Sequence, residues 1–104
     1  MKYTACYITT SGEKEAEKIA DMLLEKRLIA CANMFPIKSK YWWKGKIEKS
    51  NEFMLICKTK SDKSKKIIEE VKKIHSYDIP CINFIPIEKG NLDFLKWIDE
   101  CMTP

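Results

Sequence analysis

Ser39–Lys60, SKYWWKGKIEKSNEFMLICKTK, is the stretch whose reading decides how the rest of the chain is arranged. Aromatic and β-branched residues crowd both sides of Trp43-Lys44-Gly45-Lys46, and the single glycine between them marks a turn joining two strands. A strand from Lys46 to Thr59 at about 3.3 Å per residue is roughly 46 Å long. A domain of this size has a radius of gyration of about 13 Å, so such a ribbon overhangs its own core. The overhang is apolar on both faces. Trp42 and Trp43 are adjacent and point to opposite sides of a strand, and Phe53, Leu55 and Cys57 alternate with Met54 and Ile56. One copy of the chain has few ways to cover both sides. Neighbouring copies are the economical cover.

Working outward, Lys2 to Thr10 reads as a first strand, with Tyr3, Ala5, Tyr7 and Thr9 on one face and Thr4, Cys6, Ile8 and Thr10 on the other. Thr10-Ser11-Gly12-Glu13 has the form of a capping box, and Ala16, Ile19, Ala20, Leu23, Leu24 and Arg27 recur at helical steps, which predicts a helix over 13–26. Leu28 to Phe35 is apolar on both faces and reads as an inner strand, interrupted and bent at Pro36. Beyond the hairpin, Ser61 or Asp62 caps a second helix with Ile67, Ile68, Val71 and Ile74 inward, ending near His75-Ser76. Tyr77-Asp78-Ile79-Pro80 is a loop, Cys81 to Ile87 a strand whose Pro86 marks an edge or bulge, and Leu92 to Met102 a closing helix after Gly90-Asn91. The order is βαββαβ plus one helix. It predicts an α+β, ferredoxin-like βαββαβ sandwich with an extra C-terminal helix and a long β-hairpin arm, in one domain over 1–104. Two helices cover one side of that sheet, so its second apolar face needs a ligand, the last helix or another subunit.

At 104 residues and 12.2 kDa the chain supports one modest core. No run of about 18 apolar residues is available to span a membrane, and MKYTACYITT lacks the hydrophobic segment of a secretory signal, so a cytoplasmic protein is expected. The 5 cysteines are odd in number and set among apolar residues, which favours reduced core thiols over a disulfide framework. The net charge of +4 comes from lysines interleaved with acids along helical patterns, and solvated helix faces account for it without nucleic acid.

Five segments in order resemble the CutA family, the divalent-cation-tolerance proteins: Leu28-Ile29-Ala30-Cys31-Ala32-Asn33, Tyr41-Trp42-Trp43-Lys44-Gly45-Lys46-Ile47, Lys58-Thr59, His75-Ser76-Tyr77-Asp78-Ile79-Pro80, and Pro86-Ile87 through Gly90-Asn91 to Leu95-Lys96-Trp97-Ile98. The resemblance implies a fold related to the PII signalling proteins, a homotrimer with arms wrapped around the threefold axis, and an association with copper or other divalent cations. It brings no enzymatic reaction. The chain departs from the family at Cys81, where an acid usually follows the proline, at Phe94, where tyrosine is common, and at Ile74, where some members carry a second histidine.

Cuprous copper favours thiolates and thioethers, and cupric copper and zinc accept imidazole; His75, Cys31 and Cys6 are the metal candidates, with Cys81 and Met34 behind them. Their spacing offers no C-x-x-C and no paired histidines, so Cys6 and Cys31 as core hydrophobes and His75 as a helix C-terminal residue remain open. Tyr41, Trp42, Trp43, Lys58 and Tyr77 are candidates for a subunit interface or a cleft that holds a small anion, with Lys58 read as an edge residue reaching water. An RNA-binding module of the same βαββαβ order needs an RNP1-like aromatic run, which Trp43-Lys44-Gly45-Lys46-Ile47-Glu48 does not supply. A copper chaperone needs a thiol loop after the first strand, and Thr10-Ser11-Gly12-Glu13 has none. For catalysis, Cys31 needs His75 as its base, with no oxyanion loop or orienting acid in the pattern. The expectation is a non-enzymatic, metal-responsive or metal-binding homotrimer; the alternative is a trimeric scaffold or PII-like small-ligand sensor.

Overall fold

The computed structural model describes residues 2–103. Eight elements follow one another: β1 (Tyr3–Thr10), α1 (Glu13–Glu25), β2 (Cys31–Trp43), β3 (Lys46–Lys60), a 3-10 turn (Ser61–Lys63), α2 (Ser64–Ile74), β4 (Ile82–Pro86) and α3 (Leu92–Met102). The sheet order is β2-β3-β1-β4, with every neighbouring pair antiparallel. Two βαβ units interleave in this order, which is the ferredoxin-like arrangement in an α+β fold.

The alternation expected in β1 holds. Thr4, Cys6, Ile8 and Thr10 are buried, and they face Leu55, Cys57 and Thr59 of β3 on the side covered by Ile19 and Leu23 of α1 and Ile67 and Val71 of α2. α3 forms a smaller cluster of its own, with Ile98 and Met102 packed against Ala30, Tyr3 and Phe94. It covers one corner of the other sheet face. Met54, Ile56 and Tyr7 remain half-exposed there, and Phe35 and Ile85 are exposed.

The hairpin is as long as its pattern requires. β2 and β3 stay in register from Cys31↔Lys58 to Trp43↔Lys46, while β1 accompanies β3 only as far as Thr10↔Phe53. Beyond that point Ile37 to Glu52 form a two-stranded arm, and the molecule measures 44 × 26 × 22 Å. Lys44 and Gly45 both have positive φ, 50° and 81°, the conformation a two-residue hairpin turn needs to match strand twist. Trp42 is 72% exposed and its cross-strand neighbour Ile47 62%.

Four local expectations differ. β2 is an edge strand, because β1 pairs with β3 and β4 and leaves no place for β2 inside. Pro36 does not interrupt the ladder, since Pro36↔Phe53 keeps register; an edge strand has a free side on which a missing donor costs nothing. The helix cap of α1 is shifted: Gly12 is the N-cap with no side chain to offer, and Glu15 in place of Glu13 reaches back to the Ser11 N–H. Arg27 leaves the apolar stripe, adopting φ 57° just past α1 and donating to the Cys101 carbonyl at 2.6 Å. In addition, α2 begins at Ser64, after a 3-10 turn over the residues expected to cap it, and β4 is confined to Ile82–Pro86 on the opposite sheet edge.

Candidate functional site

A cleft of about 960 Å³ lies where the arm leaves the sheet, between its open-face residues Tyr41, Trp43 and Glu52 and the segment Ser76–Cys81 that follows α2. Register explains the arm side. Odd-numbered residues of β2 and even-numbered residues of β3 share the open face, so Trp43, Tyr41 and Glu52 continue the row begun by Cys31 and Lys58. Trp42 starts from the other side of the ribbon and borders the cleft from there.

The loop side is held by two carboxylates and one imidazole. Glu15 of α1 accepts the Ser11 N–H and the Ser76 N–H at 2.8 Å each, one on each oxygen. Burial opposes its charge, yet these donors hold its carboxyl below the usual range. Tyr77 donates its hydroxyl to Glu52 Oε2 at 2.5 Å, and Glu52 is only 6% exposed. Burial, followed by the Glu52 hydrogen bond and charge, pushes the Tyr77 phenol above its ordinary value. The loop is therefore tied to both α1 and the root of the arm.

His75 is part of the same brace. Its Nδ1 accepts the Tyr77 N–H at 3.1 Å, which leaves the proton on Nε2 to donate to the Thr9 carbonyl at 2.9 Å. Both ring nitrogens are in use. Cys31 and Cys6 lie on opposite faces of the sheet: Cys31 is half-buried beside Lys58 on the open face, and Cys6 is fully buried opposite Cys57 on the helix face. Burial, with a smaller contribution from Cys81, pushes the Cys6 thiol up to about 12, so it holds its proton. The three metal candidates are thus not brought together in one chain, and no group of three or more His, Cys, Asp or Glu side chains with metal-binding placement occurs among the described residues.

Of the cleft candidates, Tyr41, Trp42, Trp43 and Tyr77 line it, and Lys58 lies elsewhere on the open face. Lys58 is no edge residue; it sits on an inner strand and donates to Asn33 Oδ1 across the β2–β3 ladder. Sequence reasoning missed Glu52, Glu15 and Asn33. A lone acid beside the apolar run Phe53-Met54-Leu55-Ile56 was the available signal for Glu52.

Fold and cleft together define a ferredoxin-like α+β protein whose arm root carries a braced, partly apolar cleft. The chain matches the CutA1 divalent ion tolerance protein family over residues 4–101. It is 57% identical over 94 residues to the divalent-cation tolerance protein CutA of Archaeoglobus fulgidus, covering 90% of this chain and 92% of that one. It is 43% identical over 94 residues to the protein of the same name from Thermotoga maritima, covering 90% and 93%. Among solved structures, the periplasmic divalent cation tolerance protein CutA from Archaeoglobus fulgidus superposes with a TM-score of 0.94 at 54% identity, covering 96% of this chain and 98% of that one. The divalent ion tolerance protein CutA1 from Ehrlichia chaffeensis gives 0.93 at 36% identity, covering 100% and 99%. This chain belongs to the CutA1 divalent ion tolerance protein family.

Proposed function

We propose that this chain serves divalent-cation tolerance as a cytoplasmic, PII-like homotrimer that catalyses no reaction and responds to, or binds, copper or another divalent cation. The observation that carries the trimer is the arm: a two-stranded ribbon with Trp42 and Ile47 exposed on one side and Tyr41 and Trp43 on the other, next to an apolar sheet face that α3 leaves open. Closed cyclic assembly of three copies covers both surfaces at once. The names of the relatives support the cation-tolerance role. Five unpaired cysteines suit a reducing compartment. The engaged ring nitrogens of His75 argue against a Cys31–His75 nucleophile, which needs a free base.

The metal part of the proposal does not run through a His75–Cys31–Cys6 site within one chain. Of Cys31 and Cys6, Cys31 is the thiol that keeps access to solvent, as does Cys81 at the cleft, and further ligands come from neighbouring copies. No nucleic-acid partner is proposed, and among the described residues no helix is long and apolar enough to cross a membrane. A second reading, a trimeric scaffold or small-ligand sensor, is favoured by the cleft itself, where buried Glu52 and half-buried Tyr77 hold each other through one hydrogen bond and so present oxygen acceptors at fixed positions.

Light scattering on a sizing column tests the assembly. Three 12.2-kDa chains give about 37 kDa, and a stable species near the monomer mass refutes the trimer. Calorimetric titration with copper and zinc then separates the two readings: saturable heat that Cys31→Ser weakens supports cation binding, and its absence leaves the sensor or scaffold.

A further inference from the structure

Cys6 of β1 and Cys57 of β3 stand directly opposite one another in the central antiparallel pair of the sheet. Both are fully buried, both face the helices, and both belong to one core cluster with Ile8, Leu55 and Ile67. The Ser61 N–H bonds the Lys2 carbonyl at 2.8 Å, which sets the alternation of the ladder and makes Cys6↔Cys57 a hydrogen-bonded pair. Residues so paired have Cα atoms about 5.5 Å apart. Disulfides bridge Cα separations of roughly 4.4–6.8 Å, which this spacing meets; they also bring the Cβ atoms to about 3.5–4.5 Å, so the strands draw together by about 1 Å as the bond closes.

No other two of the five cysteines share a register position in the described ladders; Cys31 faces Lys58. Burial raises the Cys57 thiol first, and the neighbouring Cys6 and then Cys31 raise it further. Inside the folded core the thiols keep their protons and lie out of reach of any reagent. A disulfide between them is also uncharged, so forming it puts no ion into the core.

We propose that Cys6 and Cys57 are a latent cross-strand disulfide, a redox modification site that closes when the sheet opens or forms in the presence of a small disulfide oxidant such as oxidised glutathione. One of the two, deprotonated while exposed, attacks a sulfur of the oxidant and releases one glutathione thiol. As the strands pair, the second cysteine attacks the protein sulfur of the mixed disulfide. The Cys6 Sγ–Cys57 Sγ bond forms, and a second glutathione thiol leaves. Two protein thiols are oxidised, one glutathione disulfide is reduced, and the two protons end on the two glutathiones. The bond ties the two inner strands and encloses α1, β2 and the arm in one covalent loop.

The test uses the full chain, unfolded under reducing conditions and refolded in a glutathione redox buffer. Free thiols are then alkylated and peptides mapped without reduction. The expected result is one peptide pair joined through Cys6 and Cys57, with Cys31, Cys81 and Cys101 alkylated, and the same link in a variant carrying C31S, C81S and C101S. The folded chain placed directly in the same buffer forms that link much more slowly. The proposal is overturned if Cys6 and Cys57 are recovered alkylated after refolding, capped only by glutathione, or joined to other cysteines. It is also overturned if the folded chain links as fast as the refolding one.

Discussion

Replacing Tyr77 by phenylalanine removes the 2.5 Å hydrogen bond to Glu52 and nothing else of comparable size. A hydrogen bond to a charged acceptor contributes about 1.5–3 kcal/mol, and an acceptor left buried without its donor pays desolvation in full. Glu52, at 6% exposed, has little water to turn to. Against this, the phenol's own burial cost disappears in Tyr77→Phe. The net loss expected is about 1–2 kcal/mol. With a urea dependence of about 2 kcal/mol/M, the middle of the range for small proteins, the unfolding midpoint falls by about 0.5–1 M. The assay is equilibrium urea unfolding followed by tryptophan fluorescence at one fixed protein concentration, because assembly contributes to apparent stability. Glu52→Gln is measured alongside, and then the double variant. The bond predicts a coupling of about 1 kcal/mol between the two sites. Additivity of the two single changes to within roughly 0.3 kcal/mol refutes the reasoning, since independent sites add to about that accuracy.

The same phenol gives an alkaline signature. Its pKa is raised in the fold, so its contribution is complete below the ordinary tyrosine value of about 10 and is lost as pH rises above it. Stability against pH should fall less above that point in Tyr77→Phe than in the parent chain. Acid acts through Glu70, whose carboxyl is held at about 2 by the Lys73 and Lys26 ammonium groups at 2.6 and 3.1 Å. A depressed carboxyl stabilises above its ordinary value and loses that contribution as pH drops toward about 2. Acid unfolding of Glu70→Gln, followed by circular dichroism, should therefore be less steep between about pH 4.5 and pH 2. Gly45→Ala meets no steric neighbour but must hold φ at +81°, so it destabilises the hairpin by about 1 kcal/mol, read as a lower thermal midpoint. Leu23→Ala, fully buried between α1 and the sheet, should cost about 2–5 kcal/mol in the same urea assay.

How much of this was legible follows from the range of each interaction. The α3 boundaries, Leu92–Met102, and the turn at Lys44-Gly45 agree with the readings made from the residues alone. A helix is announced by its own period and cap, and a two-residue hairpin by the residues that tolerate positive φ. The alternation in Tyr3–Thr10 separated its buried from its half-exposed side for the same reason. The cap of α1 slipped because Thr10, Ser11 and Gly12 offer overlapping starts, and the partner of Ser11 turned out to be Glu15, which also reaches Ser76.

Periods of 2 and 3.6 and turn chemistry are local, so the residues alone announce the four strands and three helices, the length of the arm and which residues of each strand share a side. Only the tertiary structure decided that β2 lies at the edge, that Cys6 meets Cys57 while Cys31 stands on the opposite face, and that His75 spends both ring nitrogens bracing Tyr77 over Glu52. Those outcomes depend on which strands pair and in what register. Strand register is set by contacts between residues dozens of positions apart, and no local pattern carries it.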